Sequence, residues 1–530
     1  MAAAHAALVC LTCKTRKKKC DKVLPSCGYC SGKRVQCTYT SLPTPSTEMG
    51  ATSPSTSAST NADTDTGTGA SPAARNASGL RCAPLAADVR FTLNTVPIEP
   101  SAAAASLYLE VNRLIRATGQ FPDEIFTRYR LGIHSHFPVI CLETFDNNLF
   151  TLETAPAPDF SVLLVVICLI TYLPDPALQP ARATNRATID RATLHLAARS
   201  LFAQVRVASP PSVHLIQAGL LLAVYEYARR RPDDANASLA ECVRMAYAAH
   251  IWRSASVSPL QPPHASLNHS PTKLATSCLQ AEEAANTWWG LIIFERTIFC
   301  DVTVPEQPLL AVIPSANARL PSEPAALTQA GAPGPCPRSN ITVSSETSLM
   351  SEGVGGFGRA AQAALLLDRV LRSFQISSLD DRLVHLDGLD SALQTFLTVV
   401  LQQSHGEPGP FCAAISLALR ALFTLHLHIL DQPPQPVSAK FKSLDEWCGG
   451  SQAALDTITK MVVDIADSHE HVPTERMDSL PPSFCYTVLS ALRHIRAKSR
   501  ADTWLQEAEE RLRVSLYRFD FRWGVEARQP

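Results

Sequence analysis

Six cysteines near the start of this 530-residue chain are the residues best suited to chemistry. They follow the pattern C-x2-C-x6-C-x6-C-x2-C-x6-C, so each half is a C-x2-C pair followed by a third cysteine after six residues. A C-x2-C pair can direct two thiolates at one Zn²⁺, which takes four ligands. Six thiolates can serve two such ions only if two sulfurs bridge both, and the repeat nominates the first cysteine of each half. The predicted ligands are Cys10, Cys13, Cys20, Cys27, Cys30 and Cys37.

Two other interpretations of these cysteines are weaker. A disulfide framework would need an oxidising compartment, but residues 1–9 have no basic region and too short an apolar stretch for a signal peptide. A single four-cysteine zinc site would leave two cysteines over and would not explain the doubled spacing. The sequence therefore predicts two Zn²⁺ per chain. Because so short a module has little apolar core, metal binding is expected to supply most of its folding free energy.

Positive charge is concentrated in the same segment. Residues 1–40 contain eight Lys or Arg and one Asp, so they carry +7, and the rest of the chain carries −8 because the total is −1. A basic end on a mildly acidic body predicts nucleic-acid contact at the N-terminus alone. Five of the six residues from Lys14 to Lys19 are basic, which also predicts a nuclear-import signal. The predicted DNA-contacting residues are Lys14, Arg16, Lys17, Lys18, Lys19, Lys22, Lys33 and Arg34.

The segment Cys10–Asp21, CLTCKTRKKKCD, resembles the CxxCRxRKxKCD pattern of the fungal zinc-binuclear-cluster (Zn2Cys6) transcription factors. Lys14 replaces the common Arg and keeps the charge, and Pro25 matches the family's loop between the two halves. The resemblance covers only about 30 residues, but its spacing is specific. It implies a DNA-binding module of two short helices around two Zn²⁺.

The same resemblance implies roles for individual residues. Cys10 and Cys27 would bridge the metals, the short helix after Cys13 would enter the major groove, and Lys17 and Lys18 would approach base edges. Lysine can donate to the O6 and N7 acceptors of guanine, consistent with the family's tendency to read CGG-type triplets. Lys17→Ala is therefore expected to weaken binding to the preferred site more than to random DNA. The predicted phosphate contacts are Arg16, Lys19, Lys22, Lys33 and Arg34.

Composition divides the rest of the chain. Residues 1–9 are predicted to be a disordered N-terminus before the 10–40 module, and residues 41–80 a disordered linker rich in Ser, Thr, Pro and Ala. The linker has no apolar heptad positions, so it predicts no coiled coil. Residues 81–530 are predicted to form a large all-α regulatory domain, because helical periodicity recurs and strand alternation is scarce. A low-complexity insert at 313–358 is predicted to be a disordered excursion.

Eleven amphipathic stretches and one apolar run define the predicted helices of that domain. The run Phe160–Leu173 has fourteen residues, which is short of the roughly 20 needed to span a bilayer, so a buried helix and a soluble chain are expected. The last stretch, Asp502–Phe519, is expected to pack on its own domain. The alternative is that its heptad positions form a coiled-coil dimer with a second copy of the chain. The amphipathic stretches are 106–118, 124–139, 213–230, 238–252, 284–299, 359–376, 389–403, 411–430, 451–468, 484–496 and 502–519.

Segments from FTRYRLGIHSHFPVICLETF to EEAANTWWGLIIFERTIFCDVTVP resemble the middle homology region of the same family. Trp288, Trp289 and Arg296 match its pattern, whereas Asn286 stands where Arg is common and Glu295 where Asp is common. From the residues alone, the two tryptophans are expected in the core. Glu295 and Arg296 are expected to be an ordinary charged pair near a helix end.

Enzymatic signatures are not found in the sequence. It has no GxSxG elbow, no G-x4-GK[ST] loop and no HExxH, and three pairs of histidines spaced i, i+2 would point to different helix faces rather than to one metal. The other ten cysteines have no C-x2-C spacing and are expected to be reduced, mostly buried thiols. The histidine pairs are His134/His136, His426/His428 and His469/His471.

The predicted function is that of a nuclear, sequence-specific regulator of RNA polymerase II transcription, with no membrane partner. Its expected partners are double-stranded DNA and transcription machinery or co-regulators. The resemblance also allows a homodimer, a small-molecule effector, and a metabolic or biosynthetic gene set as target. The alternative is a helical scaffold or metabolite-sensing co-regulator that the zinc module only tethers to chromatin.

Overall fold

The computed structural model divides the chain into two compact units, Met1–Thr92 and Leu93–Pro530. Within the first unit, the linker predicted at 41–80 and most of residues 1–9 lie outside the described residues. The residues that the structure describes are 9–10, 12–13, 18–23, 26–33, 37, 100–150, 156–173, 189–256, 271–304, 307–315, 317–323, 342–343, 349–351, 353–405, 409–433, 443–498 and 503–525.

The first unit is built around sulfur rather than around hydrocarbon. Its described helix is α1 (Gly28–Lys33), which begins directly after Cys27. Four buried cysteine side chains form its core. Three partly buried side chains, Cys20, Tyr29 and Cys37, pack against this core. Cysteine side chains alone bury little apolar area, so this arrangement agrees with a module whose folding depends on metal.

The second unit is all-α, as the sequence predicts. Among its described residues no β-strand is formed, and the one isolated β-bridge there joins Arg319 to Thr342. The helices are α2 (Pro100–Ala117), α3 (Pro122–Leu131), α4 (Ile133–His136), α5 (Leu142–Phe150), α6 (Pro158–Thr171), α7 (Arg191–Ala208), α8 (Val213–Ala228), α9 (Pro232–Ala248), α10 (Trp252–Ser256), α11 (Pro271–Phe299), α12 (Gly356–Ser373), α13 (Leu379–Ser404), α14 (Cys412–Leu430), α15 (Leu444–Ser468), a 3₁₀ helix (Thr474–Ser479), α16 (Ser483–Ala497) and α17 (Thr503–Trp523).

In the first half of the second unit, two helices that are apolar on every side form the centre. In α6 every side chain from Phe160 to Thr171 is buried, and in α8 every side chain from Leu215 to Ala228 is buried. A helix that is apolar all round must be covered on all sides. Here α2, α3 and α7 cover α6, which itself packs on α8, while α9 and α11 complete the cover of α8. The buried helix predicted from the run Phe160–Leu173 is confirmed.

The second half is organised around α14, which packs against α12, α13, α15 and α16. By length and composition α14 could cross a membrane, but 78% of its apolar window is buried inside the fold, as in the core helix of a globular domain. Helix α11 contacts α8 and α9 on one side and α12 on the other, so one continuous core joins both halves. The last helix, α17, buries Ala508, Leu512 and Phe519 against α15 and α16, which confirms packing on its own domain.

The helix predicted over 124–139 ends earlier than Pro138 indicates. It is broken at Gly132, which separates α3 from α4 with φ −95° and ψ −111°. A Cβ on Gly132 would lie 2.7 Å from Asp478 Cγ and 3.0 Å from the Arg128 carbonyl oxygen, so glycine leaves room for the Asp478 side chain of the 3₁₀ helix. The sequence showed the glycine but not the distant segment that packs against it.

Helices α5 and α7 were not predicted from the sequence. The start of α7 carries a capping signal, because the Asp190 side chain accepts a hydrogen bond from the Thr193 N–H at 2.8 Å. Its buried stripe includes Leu194, Ala198 and Val205, which repeat at helical spacing. Several basic residues lie among these apolar residues in the sequence, so the helical spacing of the apolar residues was overlooked.

The insert predicted at 313–358 is packed where the structure describes it. The Trp289 indole N–H donates to the Arg319 carbonyl at 3.1 Å. The Asn286 amide donates to the Ser322 carbonyl at 2.8 Å and accepts from the Ser322 N–H at 2.9 Å. Side chains of α11 therefore satisfy the backbone of this segment, which composition alone could not reveal. The prediction of disorder is wrong for residues 317–323 and for residues 356–358, which form the start of α12; residues 324–341, 344–348 and 352 lie outside the described part.

Candidate zinc centre and DNA-binding surface

The six predicted ligands converge in two overlapping groups of four sulfurs. One group contains Cys10, Cys13, Cys20 and Cys27, and the other Cys10, Cys27, Cys30 and Cys37; within each group all sulfurs lie within 4.8 Å of one another. Cys10 and Cys27 are common to both groups, and their sulfurs are 3.7 Å apart.

The sulfur separations fit tetrahedral zinc. Four thiolates at about 2.3 Å from one Zn²⁺ would have sulfurs about 3.8 Å apart. The Sγ–Sγ distances are 3.7 Å for Cys10–Cys30, 3.6 Å for Cys13–Cys27 and 3.9 Å for Cys20–Cys10. The donor set is therefore of the right type and at the right spacing for zinc.

Backbone N–H groups repeat the same support in both halves. The Cys13 N–H donates to Cys10 Sγ at 3.4 Å, and the Cys30 N–H donates to Cys27 Sγ at 3.4 Å. The third cysteine of each half is supported as well, since the Cys27 N–H donates to Cys37 Sγ at 3.3 Å and the Cys10 N–H donates to the Cys20 sulfur. These bonds stabilise negative charge on the sulfurs, and they show that the sequence repeat is also a repeat of backbone geometry.

The pKa values of the thiols differ within the cluster. The backbone N–H of Cys10 lowers the pKa of Cys20 to about 6, and that of Cys27 lowers the pKa of Cys37 to about 7. Burial raises the pKa of Cys30 to about 12 and also raises that of Cys13. Closely packed sulfurs resist ionisation unless cations lie between them, so these positions suit thiolates that are bound to positive ions.

A carboxylate links the two halves of the module. Asp21, directly after the third cysteine, accepts the Gly28 N–H at 2.9 Å through Oδ2 and at 3.1 Å through Oδ1. Gly28 is the first residue of α1, so Asp21 satisfies a donor that the helix leaves free at its N-terminus. The sequence interpretation gave Asp21 no role, although an acid and a glycine at matching places after cysteines were a usable signal.

The predicted DNA-contacting residues are placed only in part. Lys18, Lys19 and Lys33 are exposed and Lys22 is half-buried, while the other four predicted contacts lie outside the described residues. The Lys18 N–H donates to the Cys13 carbonyl at 2.9 Å, so the backbone at Lys18, within the basic run, is fixed to the cluster. Exposed ammonium groups beside the sulfur cluster are suited to contact an anionic surface.

In the second unit the pair Glu295–Arg296 is not an ordinary charged pair at a helix end. Arg296 is 1% exposed; it pairs with the Glu295 carboxylate and with Asp368 Oδ1 of α12 at 3.2 Å. Glu295 also accepts the Leu310 N–H at 2.7 Å. The buried pair therefore connects α11 to α12 and to the segment that follows α11.

Two tryptophans and two histidines of the second unit were also singled out in the sequence. Trp288 and Trp289 are each 1% exposed, which confirms that they are core residues. His134 and His136 are both buried, and burial lowers their pKa to about 3 and about 4 respectively. They do not belong to either group of metal-compatible side chains found among the described residues.

Comparison with known families agrees with both units. Residues 8–46 match the fungal Zn(2)-Cys(6) binuclear cluster domain, and residues 125–310 match the fungal specific transcription factor domain. None of the curated proteins compared with the chain matched it. Both matched domains are those of transcription regulators rather than of enzymes, and the zinc-compatible sulfurs lie inside the first. Two segments of the chain, in this order, therefore match domains of fungal Zn(2)-Cys(6) transcription factors, and these matches support zinc binding, DNA binding and regulation of transcription.

Proposed function

We propose that the six cysteines hold two Zn²⁺ per chain, with Cys10 and Cys27 as the bridging ligands. The observation that carries this proposal is the pair of overlapping sulfur groups, which share these two residues. Two separate sites would need eight ligands, whereas two shared sulfurs let six thiolates complete two tetrahedra. Two Zn²⁺ and six thiolates have a net charge of −2, which the surrounding Lys and Arg residues offset.

The module then presents its basic run to DNA as a sequence-reading surface. Lys17 and Lys18 are the proposed contacts to guanine edges at CGG-type sites, because lysine can donate to the O6 and N7 acceptors in the major groove. The proposed phosphate contacts fix the position of the module on the duplex without reading sequence. They are Arg16, Lys19, Lys22, Lys33 and Arg34. Lys14 contributes to the same basic surface.

The biological setting of the proposal is the nucleus. The basic run Lys14–Lys19 has the composition of an import signal, and both matched domains are those of transcription regulators. We place the protein at RNA polymerase II genes, with a metabolic or biosynthetic gene set as its target and the helical unit as the part that receives regulatory input.

Selection of binding sites from random DNA by the purified, zinc-loaded chain tests this function. We expect enrichment of sites with a G-rich triplet, two zinc ions per chain by elemental analysis, and loss of selective binding after chelation. If the chain selects DNA with fewer than two zinc ions bound, the binuclear site is wrong. If it enriches no sequence at all, the helical unit is a scaffold or co-regulator that the module tethers to chromatin.

A further inference from the structure

A cleft beside α14 is lined entirely by residues of the second unit and combines charged, aromatic and apolar side chains. It is open to solvent, and its volume of about 460 Å³ lies within the range of pockets that hold small organic ligands. One face of α14 runs along it, from Arg420 through Thr424 and Leu427 to Asp431. At 1.5 Å per residue this face is about 16 Å long.

One end of the cleft is cationic. Arg420 is 6% exposed; it donates to Ser490 Oγ at 2.6 Å and pairs with Asp301 at 2.6 Å. Burial would lower the pKa of Arg420, but the Asp301 carboxylate raises it above its ordinary value, so the guanidinium stays charged. Its Nε is buried and has no hydrogen-bond partner, which leaves one donor of a fixed cation unused at this end.

A second guanidinium lies at the same end. Arg493 lines the cleft one helical turn after Ser490 on α16, and it is exposed. Among the described residues it forms no salt bridge or hydrogen bond, although its positive charge acts to lower the pKa of Asp301. Because Asp301 is already paired with Arg420, the charge of Arg493 is available to an incoming anion.

The middle of the cleft is aromatic and apolar. Phe374 and His428 are stacked with ring centroids 3.8 Å apart, while buried Phe423 and half-exposed Leu427 complete the wall. Burial and the charge of Arg382 lower the pKa of His428, which keeps its ring uncharged near neutral pH. A flat apolar group would be desolvated against these rings.

We infer that this cleft binds an amphipathic organic acid, with its carboxylate at Arg493 and its flat apolar body against Phe374, Phe423 and Leu427. The exposed Asp431 at the far end disfavours a second anionic group on the ligand. Only the regulatory consequence, that such an acid is an effector of transcription, rests on the proposed function. Binding itself does not depend on zinc or on DNA.

The test uses 2-naphthaleneacetate as the probe and its uncharged amide, 2-naphthaleneacetamide, as the matched ligand control. Titration calorimetry on the full zinc-loaded chain should show the acid binding about tenfold more tightly than the amide, which is the size expected for one charge-assisted hydrogen-bonded pair. Arg493→Met should remove that difference. Leu427→Trp, at a half-exposed position, should block both compounds by filling the apolar part of the cleft.

The matched protein control is Arg496→Met, which removes an arginine of the same helix that pairs with Glu509 outside the cleft; it should leave both affinities unchanged. Absence of acid binding at millimolar concentration overturns the inference, as do equal affinities of the acid for the wild type and Arg493→Met. Because zinc content and DNA selection are measured separately, failure here would leave the proposed DNA-binding function standing.

Discussion

The Asp21 carboxylate and the Gly28 N–H join the two halves of the zinc module through a hydrogen bond of 2.9 Å. The contact depends on glycine, because a Cβ on Gly28 would lie 2.6 Å from Asp21 Oδ2. The acid follows the third cysteine and the glycine follows the fourth, so the bond fixes the end of one half against the start of the other.

Gly28→Ala should therefore weaken zinc retention. The methyl group would displace the carboxylate and leave the first N–H of α1 without its acceptor, a loss of about 1 kcal/mol for a bond at an exposed site. Zinc release to a chromogenic chelator should become about fivefold more favourable. Asp21→Ala, which removes the acceptor directly, should give a similar change.

Gly32→Ala provides the control for that substitution, because it lies on the same helix and nothing is within 4 Å of its Cβ position. Alanine is a better helix former than glycine, so zinc retention should be unchanged or slightly stronger. Equal weakening by both alanines would mean that the Asp21 contact does not stabilise the module.

Bridging and terminal cysteines should differ in the number of ions that they retain. In the proposed site, Cys27→Ser removes a ligand from both Zn²⁺, whereas Cys20→Ser removes a ligand from one. Elemental analysis after dialysis should give about one ion per chain for Cys20→Ser and fewer for Cys27→Ser. Cys448→Ser, at a free thiol of α15, should retain the full complement. The same metal content for Cys20→Ser and Cys27→Ser would argue against bridging.

The zinc module could be predicted closely because its information is local. Spacing alone nominated Cys10 and Cys27 as shared ligands, and the structure places these sulfurs in both groups of four. Asp21 was missed because its partner is a backbone N–H, which residue type does not identify; the local signal was that an acid and a glycine each directly follow a cysteine. For the helical unit, periodicity predicted where most helices lie, but it could not show that α13 begins at Leu379, where Ser378 caps it through the Asp381 N–H.

Long-range contacts explain the other differences. Residues 317–323 have the composition of a loose loop, but Asn286 and Trp289 of α11 fix their backbone. Glu295 and Arg296 appeared ordinary because Asp368, which completes the buried pair, lies 72 residues later in the chain. In each case the deciding partner is distant in sequence, and hydropathy patterns carry no information about such pairs.

Arg296→Met should strongly destabilise the helical unit. It would leave the buried Glu295 carboxylate without its cation and Asp368 with only the exposed Arg372, and removal of one partner of a buried pair typically costs about 3 kcal/mol or more. Urea unfolding followed by tryptophan fluorescence should show a lower midpoint.

Arg372→Met tests whether burial is the reason for the large loss of stability expected in Arg296→Met. Arg372 also pairs with Asp368, at 2.6 Å, but its side chain is 68% exposed. Its loss should cost less than about 1 kcal/mol, because solvent screens such a pair. Similar losses for the two variants would show that the buried position of Arg296 has no special importance.

Acid should destabilise the helical unit through its buried histidines. Burial lowers the pKa of His136 to about 4, whereas an unfolded histidine titrates near 6.5. Between these values the unfolded state binds more protons, so stability is fully present above pH 6.5 and decreases as the pH falls towards 4. One such group contributes a slope of about 1.4 kcal/mol per pH unit.

Unfolding free energies measured from pH 7 to pH 4.5 check this linkage. His136→Gln should reduce the slope by about one proton relative to the wild type, even if it lowers stability at pH 7. His385→Gln, at an exposed position on α13, should leave the slope unchanged. An unchanged slope in His136→Gln would show that His136 does not contribute to the acid sensitivity.

Lys18 and Lys33 should separate sequence reading from general attraction to DNA. Both side chains are exposed, but Lys18 lies within the basic run Lys14–Lys19 whereas Lys33 lies in the last turn of α1. Lys18→Ala is expected to lower affinity for the selected site about tenfold and to lower affinity for random DNA much less, because a base contact contributes about 1–3 kcal/mol of discrimination. Lys33→Ala should weaken both about equally and reduce the salt dependence by about one unit, as for one lost phosphate contact. Binding titrations at several salt concentrations would distinguish these outcomes. A uniform loss for Lys18→Ala would reassign it to the phosphate backbone and leave Lys17 as the residue that reads guanine.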